Sequence, residues 1–154
     1  MQSFPHRYAV TATGSVLGDI ELNAERLSTL RSASPSQFDG PGDRWSPETL
    51  LVAAIGDCLI LTFRAVARAS GLAWTSLECD VTGSLDRVER TTRFVAFDIR
   101  AHLQVPNGTD PDRARRALEK AEQNCLISNS LSGSVQLIPT IDVAQEPADE
   151  LTPA

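Results

Sequence analysis

Apolar residues fall in two periods along this chain, and the switch between them marks its elements. Residues 7–13, RYAVTAT, place Tyr8, Val10 and Ala12 on one side, the period of a strand. Gly14 to Gly18 reads as a turn and Asp19 to Leu22 as the return strand of a hairpin. Leu27 to Ser34 fits a third short strand or an irregular edge. The stretch Ser34 to Trp45, with Pro35, Gly40, Pro41 and Gly42, reads as a long loop, and such loops often carry function.

The pattern then changes to threes and fours. Ser46 predicts a helix N-cap, Pro47 suits the first helical position, and Glu48 sits where the helix dipole favours an acid. Leu50, Leu51, Ala54, Ile55, Cys58, Leu61, Thr62 and Ala65 make one broad apolar face, and Gly71 marks the stop. The other side, with Val52, Ala53, Leu59, Ile60 and Phe63, is also apolar. A helix apolar all round is expected to be buried on several sides, in a core or at a subunit interface.

Strand alternation returns at Trp74 to Val88 through Leu77, Cys79, Val81, Gly83 and Leu85, and at Phe94 to Val105 through Phe97, Ile99, Ala101, Leu103 and Val105. Asp86 to Thr92 reads as a charged turn or frayed edge between them. Asp110-Pro111 starts a second helix whose stripe is Ala114, Ala117, Leu118, Ala121 and Cys125. Val135 to Val143 is the last strand. Strands and helices do not alternate strictly, so the fold class is α+β, as one domain over residues 1–143. Residues 144–154 read as a disordered acidic tail.

Composition narrows the function classes. The 154 residues carry a formal net charge of −6, which argues against a nucleic-acid partner. The run Leu50 to Leu61 is broken by Asp57, so no membrane span is expected. MQSFPHRYAV holds no apolar signal core, which reads as a cytoplasmic chain. His6 and His102 have no partner at ligand spacing and there is no CxxC, so neither a metal nor another cofactor is expected.

Three cysteines remain. Cys79 alternates with core positions and reads as packing. Cys58 and Cys125 are each the one thiol on a helix or at its end, on faces directed inward. Either is ordinary packing taken alone. If those faces meet, the pair could form a disulfide during turnover. Asp57 would raise the Cys58 pKa if close, although adjacent helical residues point about 100° apart. Ser128 and Asn129, just past Cys125, have groups that can bond a helix end or orient the thiol.

At these residues the chain resembles the OsmC/Ohr family. SPETLLVAAIGDC is similar to the helix that carries that family's peroxidatic cysteine, and EQNCLISNSLSGSVQL to the motif of its resolving cysteine. The resemblance implies an intertwined homodimer, with antiparallel sheets wrapped around two central helices. It implies a thiol-dependent peroxidase acting on organic hydroperoxides and reset by an external dithiol reductant. Cys58 would attack the peroxide and Cys125 would resolve the sulfenic acid. Glu48 matches the glutamate that pairs an arginine beside the thiolate. That arginine is absent from Thr13 to Asp19, where the family places it; Arg44 is the leading substitute, ahead of Arg26 and Arg31. Leu126 replaces the motif's proline after the resolving cysteine. Weak peroxidase activity is therefore expected. The alternative is an OsmC-fold dimeric small-molecule-binding protein without efficient turnover. A hot-dog-like thioesterase fits the element order less well.

Overall fold

The computed structural model describes residues 1–145, so the expectation for the tail lies, from residue 146 on, outside the described residues. Ten elements are arranged in α+β order, and the chain divides into two compact units, Met1–Leu51 and the part from Val52 onward.

The first unit holds a three-stranded antiparallel meander of β1 (Thr11–Thr13), β2 (Ile20–Asn23) and β3 (Leu30–Ser32). The ambiguous stretch is thus a short strand, and the strand read over residues 7–13 is paired only over its last three. After a single 3-10 turn at Ser36–Phe38 the loop returns to β3, where Ala33 N donates to Trp45 O at 2.9 Å. Gly40 is needed there: a Cβ would fall within 3 Å of the Ser34 and Pro35 backbone.

Helix α1 spans Pro47–Ser70, and the second unit begins inside it. Its start is a reciprocal cap. Thr49 N donates to Ser46 Oγ at 3.1 Å and Ser46 N to Thr49 Oγ1 at 2.8 Å, so Thr49 does the work that Glu or Gln does in a capping box. By length and composition α1 could cross a bilayer, contrary to the expectation from Asp57. One charge near the middle of the helix is too little to exclude it on those grounds. In the fold its Gly56 side packs on the sheet of the second unit.

The second unit contains β4 (Ser76–Val88), β5 (Thr91–Val105), α2 (Pro111–Gln123) and β6 (Ser134–Val143), with β5 central. β4 and β5 form the long hairpin, closed by Glu89 and Arg90, both at positive φ as a two-residue hairpin turn requires. The charged stretch is strand almost to its tip. β6 pairs with β5 in parallel, which corrects the expectation of wholly antiparallel sheets. A parallel partner requires a crossover, and α2 supplies it.

The core of this unit lies on one face of the sheet. Phe97, Ile99, Ala101, Leu103 and Val105 alternate inward from β5. Ile55, Leu59, Phe63 and Ala67 come from α1, and Ala114, Ala117, Leu118 and Ala121 from α2. A register shift opposite Ser84 and Leu85 skips Val95, so Phe94 comes to stack on Phe97, centroids 5.2 Å apart. Glycines let α1 approach closely. A Cβ at Gly83 would lie 2.9 Å from Val52 Cγ2, and one at Gly56 3.2 Å from Val81 Cγ2.

The buried seam of α1 is therefore Ile55, Leu59, Phe63 and Ala67, not the face read from the sequence. Periodicity had little to choose between on a helix apolar all round; Gly56 decides it, since only that side admits the sheet. The face of Ala54, Cys58, Leu61 and Ala65 is partly or fully exposed, Leu61 to 53%.

Candidate functional site

The second unit brings Cys58 and Cys125 together. α1 carries Cys58 at its middle, half-buried, beside the packed seam. α2 delivers Cys125 by ending just before it. Asp110 caps that helix by accepting from Asp112 N at 3.0 Å, and Pro111 fills its first position. At the other end Asn124 Nδ2 donates to Lys120 O at 2.7 Å. Cys125 N still reaches Glu122 O at 3.0 Å, so the thiol continues the inward stripe and is fully buried.

Beyond Cys125 the chain makes a tight connection tied at several points. Cys125 O accepts from Asn129 N at 3.0 Å, Ser130 N donates to Ile127 O at 3.0 Å, and Asn129 Nδ2 reaches back to Gln123 O at 3.1 Å. The expectation that Asn129 bonds a helix end is met. Between those ties, the backbone N–H groups of Leu126 and Ile127 donate to no backbone carbonyl among the described residues. They act on the Cys58 sulfur instead. The Leu126 side chain points outward, 72% exposed.

The two thiols are tuned in opposite directions. Burial pushes the Cys58 thiol up, but the Ile127 N–H, the Cys125 thiol, the Thr62 hydroxyl and the Leu126 N–H together hold it below its ordinary value. Thr62 stands one helical turn on, with Oγ1 3.9 Å from Cys58 Sγ. Burial likewise pushes Cys125 up; Ser128 opposes this through its hydroxyl and its N–H, while Cys58 reinforces it, and Cys125 stays raised. Of the two, Cys58 is the thiol that gives up its proton more readily and Cys125 the one that holds it longer. Asp57 is exposed and is not among the groups that act on Cys58. Cys79 lies on β4 against Gly56, and burial, then Asp80 and Glu78, push it up to about 11; it is an inert packing thiol.

Glu48 and Arg44 belong to the first unit. Glu48 Oε2 is shut from solvent with no hydrogen-bond partner among the described residues. Arg44 does not supply one. Its guanidinium is held by Asp19 at 3.1 Å and Asp43 at 3.1 Å, and the hydrogen bond to Asp19 chiefly holds its pKa up. Arg31 pairs with Glu21 at 3.8 Å and Arg26 with Glu25 at 3.7 Å, both at the surface. In the second unit no arginine hydrogen-bonds to Cys58 among the described residues.

The sequence patterns do not single out Thr62 or the two amides as partners of Cys58. Thr62 was legible as the i+4 neighbour of Cys58. The Leu126 amide was legible in the departure itself, because the proline it replaces has no N–H to give.

Comparison with known proteins bears on the family and the fold. Residues 40–139 match the family model described as OsmC-like protein. The uncharacterized protein YmaD of Bacillus subtilis (strain 168) is 27% identical over 106 residues, covering 67% of this chain and 71% of that one. An OsmC-like protein of unknown function from Vibrio cholerae superposes with a TM-score of 0.81 at 16% identity, over 88% of this chain and 100% of that one. An organic hydroperoxide resistance protein from Legionella pneumophila does so with a TM-score of 0.72 at 23% identity, over 92% and 100%. At those identities the structural likenesses establish the α+β OsmC-like fold. The family model covers well over half of the sequence, and on that ground the chain belongs to the OsmC family.

Proposed function

We propose that this protein is a two-cysteine, thiol-dependent peroxidase that reduces organic hydroperoxides. The observation that carries the reading is the placement of the half-buried Cys58 of mid-α1 beside the fully buried Cys125 just past the end of α2; the lowering of the Cys58 pKa and the raising of the Cys125 pKa support it. A nucleophile must be thiolate and a resolving partner must keep its proton until needed. The Cys58 thiolate attacks the terminal oxygen of ROOH. The O–O bond breaks, RO⁻ leaves and takes a proton as the alcohol, and Cys58 becomes a sulfenic acid. The Cys125 sulfur then attacks Cys58; the S–O bond breaks, the Cys125 proton leaves with hydroxide as water, and a disulfide forms. An external dithiol reduces it and is itself oxidised. No cofactor enters these steps.

The working form in this reading is a homodimer. The half-open face of α1 supports it, as do the exposed Val16, Leu17 and Leu27 of the first unit. Glu48 takes a cation in this scheme, and its buried, unpartnered Oε2 supports that role. Arg44 serves only on leaving Asp19 and Asp43, so turnover is weak. The reading places the protein in the cytoplasm, where a dithiol reductant is available.

The test is stoichiometric. One equivalent of an organic hydroperoxide should remove two free thiols per chain, and Cys58→Ser should abolish the loss. Persistence of all three thiols favours a second reading, a small-molecule-binding protein of this fold. Two observations support that one: Arg44 is neutralised by two aspartates, and an apolar groove of about 200 Å³ lies among Val10, Leu22, Leu27, Leu30 and Leu50.

A further inference from the structure

The side-chain oxygen that reaches the Cys58 sulfur is Thr62 Oγ1, 3.9 Å from Sγ and one turn further along α1. A threonine inside a helix commonly turns its hydroxyl back to the carbonyl four residues earlier. Thr62 makes no such bond among the described residues; its hydroxyl meets the sulfur of that residue and not its carbonyl. Cys58 and Thr62 are both half-buried, off the seam of Ile55, Leu59, Phe63 and Ala67, so neither is sealed in the core.

We propose that Thr62 is a catalytic residue whose hydroxyl turns from the Cys58 sulfur to the leaving oxygen of the hydroperoxide as the O–O bond breaks. This rests on the two-cysteine reading above and concerns its first step. Reacting atoms meet about 3–3.5 Å apart, aligned with the bond that breaks. A hydroperoxide entering on the hydroxyl's side of the sulfur therefore carries its leaving oxygen to within hydrogen-bond reach of a group 3.9 Å from that sulfur. The charge moves in the direction this exchange requires. With Cys58 as thiolate, the hydroxyl donates to the sulfur. As the S–O bond forms and the O–O bond breaks, the sulfur loses its charge and the RO oxygen gains it. A hydroxyl hydrogen swings between the two acceptors without any heavy atom moving. The bond given up weakens while the bond made strengthens, so the transition state is stabilised more than the resting thiolate. Sulfur is oxidised to the sulfenic acid, the peroxide is reduced, and RO⁻ leaves with the electron pair and takes its proton from water. Thr62 keeps its own proton and is unchanged at the end.

The experiment uses the full chain and compares two oxidants at one pH: tert-butyl hydroperoxide, which expels a strongly basic alkoxide, and peracetic acid, which expels weakly basic acetate. The readout is the rate at which free Cys58 is lost, by iodoacetamide quenching and peptide mass spectrometry. Thr62→Val keeps the side-chain shape and removes the hydroxyl. In it the tert-butyl hydroperoxide rate should fall about tenfold relative to the peracetic acid rate, the loss of one hydrogen bond to a charged acceptor. The ratio cancels any change in folded fraction or in the ionisation of Cys58, so a merely structural role would not move it. Thr62→Ser keeps the hydroxyl and should restore the ratio. Equal slowing with both oxidants in Thr62→Val, or no slowing, would overturn the proposal, as would a Thr62→Ser ratio like that of Thr62→Val. Failure of the wild-type chain itself to oxidise Cys58 with either oxidant would overturn the two-cysteine reading, and this inference with it.

Discussion

Replacing Leu126 with proline removes a single donor from the Cys58 sulfur. The related motif carries proline there, so the backbone accepts the ring, and the lost group is the one N–H that proline lacks. Two backbone amides, Ile127 and Leu126, act on Cys58, and Leu126 is the weaker. A hydrogen bond to a charged group contributes about 1.5–3 kcal/mol; for the weaker of the two amides its lower end is the ceiling, which bounds the effect at roughly tenfold in the thiol–thiolate equilibrium. A more basic thiolate is also more nucleophilic, by about threefold for that change. On the rising limb of the pH profile, alkylation of Cys58 should therefore slow, by at most about three- to fourfold. On the high-pH plateau, where every molecule is ionised, it should quicken, by at most about threefold. The assay is iodoacetamide labelling followed by peptide mass spectrometry from pH 5 to 10, with circular dichroism as the fold check. Leu126→Ala keeps the N–H and should follow the wild type. Curves of Leu126→Pro and wild type that superimpose would refute the reasoning. A uniform slowing without a crossing would indicate lost access and not a lost donor.

Two further predictions concern the frame. Gly83→Ala pushes a Cβ to 2.9 Å from Val52 Cγ2 and Phe94 Cε1, and should cost about 1–3 kcal/mol in urea unfolding with little change in slope. Cys79 has its folded pKa raised to about 11 from an ordinary 9.0, chiefly by burial. The folded state then holds the proton while the unfolded state releases it, so stability is full below about pH 9 and is lost as pH rises through about 11. Cys79→Ala should flatten that alkaline decline, read from denaturation midpoints at pH 8, 9 and 10.

Much of this fold is written in local patterns. The alternation of Phe97 to Val105 names the inner face of β5, and Ser46-Pro47-Glu48 names the start of α1. Long-range choices are less visible. The side of α1 that meets the sheet is chosen by Gly56 and by the approach of Gly83, and neither has a periodic signature on a helix apolar all round. The parallel pairing of β6 depends on the crossover through α2, since Val135 to Val143 alternates the same way in either direction. Cys58 and Cys125 stood out because each is a lone thiol on its helix or at the helix end. Their environment did not, because two of the four groups that act on Cys58 are main-chain N–H groups, and one of those is signalled only by a proline that is missing. Arg44 stood near Glu48 in sequence, but Asp19, reached through the β1–β2 connection, and the adjacent Asp43 take its charge.

The central claim is that Cys58 and Cys125 form a working redox pair. The direct measurement is peptide mapping without reduction after one equivalent of an organic hydroperoxide. A Cys58–Cys125 disulfide within the chain, formed in step with hydroperoxide loss and reversed by a dithiol, is the predicted result. Consumption of the hydroperoxide with no such linkage, or Cys125 labelled freely throughout, would contradict it.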